Sequence, residues 1–385
     1  MPELQPSKPR PLESNWRWQQ SAAVRDPKGL KVRFPALDDA TCARIEANSQ
    51  WARFQLTPHL LSLIREISPG RPDPQDPVWK QFVPIYDPPS VTTSVSDLLE
   101  ENWEMSDDMI NPILQHKYDN RVNFRIQNRC LAYCSYCFEA KRVLDRDSPV
   151  ESFRDELFQE GLRYIQGRPT IQEVVISGGE PLTLSNEKLA GLLERIRAIP
   201  HVQALRIQTR ALTHNPFRFD DGLIDLLIRF DVAAMGIHIA HPNEVSSQLE
   251  DALERMSQRG CRTILLAQIP LLKGVNDTET VLAELFMRLY TLKIKPYYLL
   301  HSMPETLGSG YFRTSVRRGV ELVSSLKRRI SNPAMPEYVI VHSDGKHTVP
   351  LEREGTDDFQ YLADGLIRFR NWRGEWRHYE DGGFE

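Results

Sequence analysis

Three cysteines, Cys130, Cys134 and Cys137, lie within eight positions of the chain. The whole chain has only five cysteines, too few for a disulfide framework in a protein of this length. A structural zinc site closes with a fourth Cys or His ligand, whereas three thiolates on a four-iron cluster leave one iron open to a substrate or cofactor. The trio therefore indicates an iron–sulfur site, and a zinc site completed by His116 is the alternative.

The cysteines directly follow the first of six short β-rich segments that alternate with helical patterns. The predicted strands are residues 121–126, 173–177, 204–209, 232–238, 263–268 and 295–300. Such alternation predicts a parallel sheet or barrel, because right-handed crossovers place the helices outside the strands. Chemistry in this fold lies at the carboxyl ends of the strands, which is where the cysteine loop begins.

Four stretches of different texture divide the chain. Residues 1–15 carry four prolines and predict a flexible arm, and residues 16–115 show helical spacing of apolar side chains. Residues 116–300 contain the six predicted strands. Residues 301–385 predict a C-terminal segment of antiparallel hairpins, one of which turns at the Asp-Gly pair 344–345.

The composition is that of an ordinary globular protein. Of 385 residues, 41% are hydrophobic and 26% are charged, values that exclude a disordered or collagen-like chain. The net charge of −4 gives no electrostatic case for binding nucleic acid or an anionic membrane. No apolar run reaches the ~20 residues of a membrane span and the first residues lack the pattern of a secretory or transit peptide, so we expect a cytoplasmic protein.

The spacing C-x3-C-x2-C resembles the signature of the radical S-adenosylmethionine (SAM) superfamily. The segment Ser-Gly-Gly-Glu-Pro (177–181), about 40 residues later at the end of a predicted strand, resembles that superfamily's motif for the methionine amino group. The resemblance implies a [4Fe–4S] cluster on the three cysteines and SAM held by Gly178, Gly179 and Glu180. Gln208 and His238, at later strand ends, are further candidates for the SAM site, although a histidine packed in the core is an equal alternative for His238.

Further segments, in order from about residue 15 to about residue 380, resemble the lysine 2,3-aminomutase family. Examples are Asp-Pro-Val-Trp-Lys-Gln (76–81), Leu-Leu-Lys-Gly-Val-Asn-Asp (271–277) and Arg-Asn-Trp-Arg-Gly-Glu (370–375). The resemblance implies a partial (β/α)6 barrel with a helical N-terminal region and a C-terminal β-hairpin segment. It also implies three cofactors: the [4Fe–4S] cluster, SAM and pyridoxal 5′-phosphate.

The same resemblance assigns residues to pyridoxal phosphate. Lys346, in Asp-Gly-Lys-His-Thr-Val-Pro, stands at the place of the family's imine-forming lysine, and an exposed lysine in a hairpin turn is the alternative. Lys117 and Arg121 stand at the places of two phosphate-binding arginines, so one of the two is altered to lysine. Gln268 occupies a matching position on the active-site face.

One departure from the family pattern concerns the substrate carboxylate. The family binds it with an arginine two residues beyond the third cysteine, where this chain has Glu139. Two carboxylates repel each other, so either Lys141 or Arg142 replaces that arginine or the substrate lacks a free carboxylate at this place.

A second departure concerns the side-chain end of the substrate, where the family binds an ammonium group with two aspartates. Glu305 and Asp344 are candidate substitutes, and His301 and His342 lie equally close to the expected places. Such changes in a hydrogen-bonding site alter which substrate is accepted, so lysine is not expected. The resemblance also implies a zinc site in the family's longer members, which bind zinc through cysteines near the C-terminus. No cysteine follows Cys261 here, so that zinc site is not expected.

These features predict an isomerase, an aminomutase that performs a 1,2-amino shift on an amino acid other than lysine. The alternative is a radical SAM enzyme of the same family with another outcome: deamination, decarboxylation or carbon-skeleton chemistry in a specialised biosynthetic pathway. A third hypothesis is a non-catalytic iron–sulfur or zinc protein. The expected partners are an amino-acid-like small molecule and an electron donor such as flavodoxin or ferredoxin, and homo-oligomerisation is left open.

Overall fold

The computed structural model describes residues 12–50, 52–86, 108–145, 153–303, 306, 308–342, 344–351, 356–371 and 373–381. The strands are β1 (Glu66–Ser68), β2 (Arg71–Pro72), β3 (Met109–Asn111), β4 (Leu114–Tyr118), β5 (Arg121–Arg125), β6 (Glu173–Ser177), β7 (Ala204–Thr209), β8 (Ala234–His238), β9 (Ile264–Leu271), β10 (Ile294–His301), β11 (Glu337–His342), β12 (Gly345–Thr348), β13 (Phe359–Tyr361), β14 (Leu366–Arg370) and β15 (Trp376–Glu380).

The helices lie mainly before β3 and between the central strands. They are α1 (Trp16–Ser21), α2 (Pro27–Arg33), α3 (Asp39–Asn48), α4 (Pro58–Leu63), α5 (Pro77–Phe82), α6 (Ala140–Val143), α7 (Asp155–Gln166), α8 (Asn186–Arg197), α9 (Ala211–His214), α10 (Asp221–Arg229), α11 (Ser247–Gln258), α12 (Glu279–Thr291), α13 (Ser309–Phe312) and α14 (Val316–Leu326). Within the described residues, no helix is long and apolar enough to cross a membrane.

A ten-stranded sheet runs through the molecule in the order β12-β11-β10-β9-β8-β7-β6-β5-β4-β3. Strands β5 to β10 pair in parallel, and each is one of the six strands that the alternating pattern predicts. The pairing also continues beyond them, since β11 joins β10 in parallel. The predicted antiparallel hairpins are present as β11–β12 and as the separate sheet β13-β14-β15.

The ten-stranded sheet curls into a partial barrel, as expected, with β12 and β3 as its two edges. A side chain bridges the opening: the hydroxyl of Tyr118 on β4 accepts a hydrogen bond from the backbone N–H of Lys346 on β12, at 2.9 Å. Gly345 permits this approach, because its φ is +126° and a Cβ there would lie 2.6 Å from the Tyr118 oxygen. The start and the end of the sheet therefore meet at Lys346.

The helices between strands pack on the sheet through one apolar face. In α7 the buried side chains recur at helical spacing, and Gly161 faces Phe124 of β5. A Cβ on Gly161 would lie only 2.5 Å from the Phe124 ring, so the glycine sets how closely helix and strand approach. The same large core joins the other crossover helices to the sheet.

The N-terminal region holds the cysteine loop in place. Gln55 donates from its side-chain amide to the carbonyls of Cys130 (3.1 Å) and Leu131 (2.9 Å). The backbone N–H of Ser135 donates to the carbonyl of Gln81 at 2.8 Å. These contacts satisfy polar backbone groups of a loop that has neither helix nor strand before α6.

The predicted arm (1–15) is described only in part. Residues 1–11 lie outside the described residues, and Leu12–Ser14 form a 3₁₀ turn. Asn15 then caps α1, with its side-chain oxygen accepting from the N–H of Arg17 at 2.9 Å.

Candidate active site

A cavity of about 540 Å³ is lined by residues of β4 to β12 and of the loops that follow β5, β6 and β7. Residues that the sequence places far apart meet on its walls. The predicted site residues that line it are Lys117, Arg121, Cys130, Cys134, Cys137, Glu139, Gly178, Gly179, Glu180, Gln208, His238, Gln268, His301, His342 and Lys346.

The cysteine loop forms one wall of the cavity. Burial raises the pKa of the Cys130 and Cys134 thiols. Opposing this at Cys134, the guanidinium of Arg210 donates from Nη1 to Sγ at 2.9 Å, a contact that stabilises a thiolate. Three thiols on one cavity wall, with a cation beside one of them, fit the ligand set of a [4Fe–4S] cluster.

A site for a single metal ion needs a different arrangement of ligands from a cluster site. No three His, Cys, Asp or Glu side chains in the described part of the chain are placed to hold one metal ion. A cluster does not require that spacing, because each thiolate binds its own iron. His116, the alternative zinc ligand, lies 2.9 Å through Nδ1 from the Tyr164 hydroxyl and is not on the cavity wall.

The two glycines after β6 allow the chain to lie directly against the cysteine loop. Gly178 has φ +116°, and a Cβ on it would lie 2.3 Å from the Gln127 carbonyl oxygen. A Cβ on Gly179 would lie 2.5 Å from the Arg129 carbonyl oxygen. Both positions therefore need glycine for close backbone approach, and both glycines line the cavity that the three cysteines also line.

The side chain of Glu180 is held by hydrogen bonds within the protein. Its carboxylate is 2% exposed and accepts hydrogen bonds from Thr209 Oγ1 (2.7 Å), the N–H of Arg210 (2.7 Å) and the N–H of Leu182 (3.0 Å). Burial raises its pKa and these bonds oppose the rise. The Glu180 carboxylate therefore joins the end of β6 to the end of β7.

Gln208 and Gln268 form an amide pair across the middle of the cavity. Nε2 of Gln268 donates to Oε1 of Gln208 at 2.6 Å, and the pair crosses Gly236 on the strand between them. A Cβ on Gly236 would lie 1.9 Å from the Gln208 oxygen. A glycine inside a strand signals such a close approach, so Gly236 was a usable sequence signal for this pair.

His238 lies on the cavity wall rather than in the apolar core. Burial, together with the positive charges of Arg210 and Lys346, lowers the pKa of its ring to about 3. The imidazole is therefore neutral at physiological pH and can accept or donate a hydrogen bond inside the cavity.

Lys346 projects from β12 into the cavity. Its Nζ lies 5.5 Å from the centre of the Tyr298 ring. The side chain keeps contact with solvent because the cavity is open, yet the surrounding walls and the charges of Arg206 and Arg121 lower its pKa to about 8. An amine with that pKa is partly unprotonated near neutral pH, as a nucleophilic lysine must be.

Cations surround Lys346. Arg121 lies 3.9 Å from the centre of the Tyr118 ring, and Lys117 pairs with Asp108 at 3.2 Å. Arg206, which the sequence analysis did not single out, is held by both oxygens of Glu173 at 2.6 Å. Its signal was the alternation of β7, which places residue 206 on the same face as Gln208. This group of positive charges suits a phosphate group beside Lys346.

Glu139 is buried between two arginines. Nε of Arg125 donates to Oε1 at 2.8 Å, and Nε of Arg142 lies 3.3 Å from Oε2. The expected replacements for the carboxylate-binding arginine are wrong in position, because neither Lys141 nor Arg142 lines the cavity. Arg142 is fully buried and donates to the carbonyl of Pro112 at 2.8 Å, whereas Arg125 lines the cavity.

His301 lines the cavity at the end of β10. Its Nδ1 lies 2.9 Å from the Tyr338 hydroxyl, and burial with the charge of Arg313 lowers its pKa to about 3. Nε2 is buried and has no hydrogen-bond partner in the described part of the chain. Glu305 lies outside the described residues.

Asp344 and His342 differ in whether they line the cavity. Asp344 does not line the cavity, because its carboxylate pairs with Arg377 and accepts from Asn371 at 3.4 Å. Burial raises the pKa of Asp344, but the bond to Arg377 outweighs this and lowers it. His342 lines the cavity and packs on Phe369, with ring centres 5.6 Å apart.

Comparison with known proteins agrees with this geometry. Residues 124–286 match the family model of the Radical SAM superfamily. A protein of Aquifex aeolicus provisionally named L-lysine 2,3-aminomutase is 33% identical over 89% of this chain and 89% of its own. The L-lysine 2,3-aminomutase of Methanococcus maripaludis is 31% identical over 88% of this chain and 75% of its own.

Two further similarities are more distant. Glutamate 2,3-aminomutase of Clostridioides difficile is 27% identical over 96% of this chain and 83% of its own. The structure of coproporphyrinogen III oxidase from Escherichia coli, a radical SAM enzyme, aligns at a TM-score of 0.40 and 9% identity over 66% of this chain and 68% of that one, too remote to add to the assignment. Identity to the aminomutases across nearly the whole chain is sufficient: this protein belongs to the lysine 2,3-aminomutase family of radical SAM enzymes.

Proposed function

We propose that this protein is a pyridoxal phosphate-dependent 2,3-aminomutase that moves the amino group of an α-amino acid from C2 to C3. The observation that carries the proposal is the position of Lys346, whose amine projects into the same cavity as Cys130, Cys134 and Cys137. A cluster site alone would need no such amine. Its pKa of about 8 gives Lys346 the reactivity to hold a carbonyl cofactor covalently.

The wall of the cavity near the cysteines suits the radical chemistry of the family. When bound, a [4Fe–4S] cluster with SAM supplies the radical that removes a substrate hydrogen, and pyridoxal phosphate carries the migrating nitrogen. The three cysteines would hold the cluster. The peptide groups at Gly178 and Gly179, which lie against the cysteine loop, would bind the methionine part of SAM, with Gln208 and neutral His238 beside them.

The wall near β12 suits pyridoxal phosphate. Lys346 would hold the cofactor through Nζ, and Lys117 and Arg121 would bind its phosphate. Tyr118 fixes the backbone of Lys346 from the opposite edge of the sheet, so the amine is positioned by two strands rather than by an isolated turn. Gln268, bonded to Gln208, would orient the cofactor from the middle of the cavity.

The described part of the lining favours an amino acid other than lysine. Glu139 and Glu180, the carboxylates on the described wall, are both paired inside the protein. Asp344 is paired with Arg377, and His301 is neutral. A distal ammonium group would meet none of these as an uncommitted anion. The similarity to a glutamate 2,3-aminomutase supports a substrate class wider than lysine.

Borohydride trapping tests the proposal. Anaerobically reconstituted protein with pyridoxal phosphate is reduced with borohydride, and its peptides are mapped by mass. We expect a pyridoxyl adduct on Lys346 that is lost in Lys346→Ala and kept in Lys295→Ala, because Lys295 on β10 points away and donates to the Pro333 carbonyl. An amino-acid screen should then yield a product with the mass of its substrate.

The trapping result separates this proposal from other radical chemistry. A protein that cleaves SAM but forms no adduct on Lys346 would contradict an aminomutase function. A product of lower mass than its substrate would show deamination or decarboxylation instead.

A further inference from the structure

Arg125 is a buried arginine on the cavity wall whose hydrogen-bonding capacity is not exhausted. A guanidinium has five N–H donors. Arg125 uses one on Glu139 Oε1 (2.8 Å), one on Gln115 Oε1 (3.0 Å) and one on the Met109 sulfur (3.3 Å). A thioether is a weak acceptor, so two or three donors remain for an anion that enters the cavity.

Arg125 lies beside the part of the cavity where the proposed function places the substrate. Arg121 and Arg125 alternate on the same face of β5 and are separated by about 13 Å of strand. Arg121 is at the end of β5 that lies near Lys346. The first cysteine, Cys130, follows Arg125 by five residues. A substrate that is held near Lys346 and reached by a radical formed at the cysteines must lie between these two ends.

Two other cations of the cavity wall, Arg206 and Arg210, have stronger commitments. Arg206 gives both oxygens of Glu173 a hydrogen bond. Arg210 is shared between Cys134 and the fully buried Glu244 (2.9 Å). Arg125 faces a carboxylate that is itself shared with a second guanidinium, so Glu139 does not by itself balance both positive charges.

We propose that Arg125 binds the α-carboxylate of the substrate and that Glu139 is the positioning residue that holds its guanidinium. The proposal rests on the proposed function, which supplies the amino acid. It names the substrate class, since it requires a free α-carboxylate and excludes amines and amides. Glu139 then orients the cation instead of repelling the substrate, because its charge is already paired.

The test compares an amino acid with its carboxamide. Both are titrated into the full-length protein loaded with pyridoxal phosphate, and binding is read from the visible absorbance of the cofactor rather than from turnover. We expect the wild type to prefer the acid by about 100-fold, as for a charged hydrogen-bonded pair. In Arg125→Gln the preference should fall to within about threefold of unity.

Two variants separate binding from folding. Arg142→Lys changes the partner of Glu139 that does not line the cavity, so it should keep the preference for the acid even if it lowers thermal stability. Arg125→Lys keeps the charge but loses the fork, and its preference should fall about tenfold; it replaces the glutamine variant if that one does not fold. Glu139→Gln should also lower the preference, which a purely structural role would leave unchanged.

The outcomes distinguish the two proposals. If Arg125→Gln or Arg125→Lys keeps the full preference for the acid, or if the wild type has none, Arg125 does not bind the carboxylate although amino acids still bind. If no amino acid changes the cofactor's absorbance in the wild type, the aminomutase function itself fails, and this proposal fails with it.

Discussion

In the proposed function, the pKa of Lys346 sets how fast the protein attaches pyridoxal phosphate, and this pKa can be perturbed. With a pKa of about 8, ~24% of the amine is unprotonated at pH 7.5, against ~0.1% at the ordinary value of 10.5. That is a gain of roughly 240-fold in reactive amine. Burial contributes most, followed by the charge of Arg206. Replacing Arg206 with glutamine removes that charge and leaves Glu173 unpaired nearby, so the pKa of Lys346 should rise.

The assay is the rate of cofactor attachment across pH, followed by absorbance. A lowered pKa makes the rate rise with pH and level off above about pH 8 in the wild type. If Arg206→Gln raises the pKa by one unit, the unprotonated fraction at pH 7.5 falls about eightfold and the plateau moves to about pH 9. A wild-type rate that keeps rising tenfold per pH unit to pH 10 would refute the reasoning, and so would a plateau that moves down in the variant.

Three further predictions concern other parts of the cavity. Gly236→Ala places a methyl group 1.9 Å from an amide oxygen and should lower the free energy of unfolding by about 1–3 kcal/mol in urea, whereas Gly191→Ala, with open space around it, should not. Arg210→Lys weakens the hydrogen bond to Cys134, so the reconstituted cluster should become about tenfold harder to reduce, a shift of about −59 mV in a redox titration; an unchanged potential counts against that contact. His301→Leu removes the unpartnered Nε2 and should change which amino acids bind while trapping on Lys346 persists; an unaltered preference would exclude His301 from substrate recognition.

Much of the fold could be predicted because its strands carry local signals. β5 to β10 are short β-rich segments separated by amphipathic helices, and this pattern is complete within each segment. The parallel pairing of β11 with β10 was not predictable in the same way. In this region the sequence indicated only the hairpin β11–β12. The strand that pairs with β11 depends on which edge of the sheet is exposed after β10.

The same difference between local signals and long-range contacts applies to the site. The spacing of Cys130, Cys134 and Cys137 and the pair Gly178–Gly179 are local, so the sequence alone determined a cluster-binding loop and a close backbone approach. It also nominated Lys346, and only the tertiary structure placed its amine in the cavity of the cysteines, by curling β12 back to β4.

Polar contacts between distant parts of the chain were decided by the tertiary structure alone. Glu139 stands at the place of the family's carboxylate-binding arginine, and only the structure shows that it pairs with Arg125, fourteen positions earlier. Glu180 was assigned to the SAM site by its motif, and only the structure shows that Thr209 and the N–H of Arg210 hold its carboxylate. The physical reason is that residue spacing encodes contacts within a loop or helix turn, whereas sheet register determines which buried charges neutralise one another and which remain for a ligand.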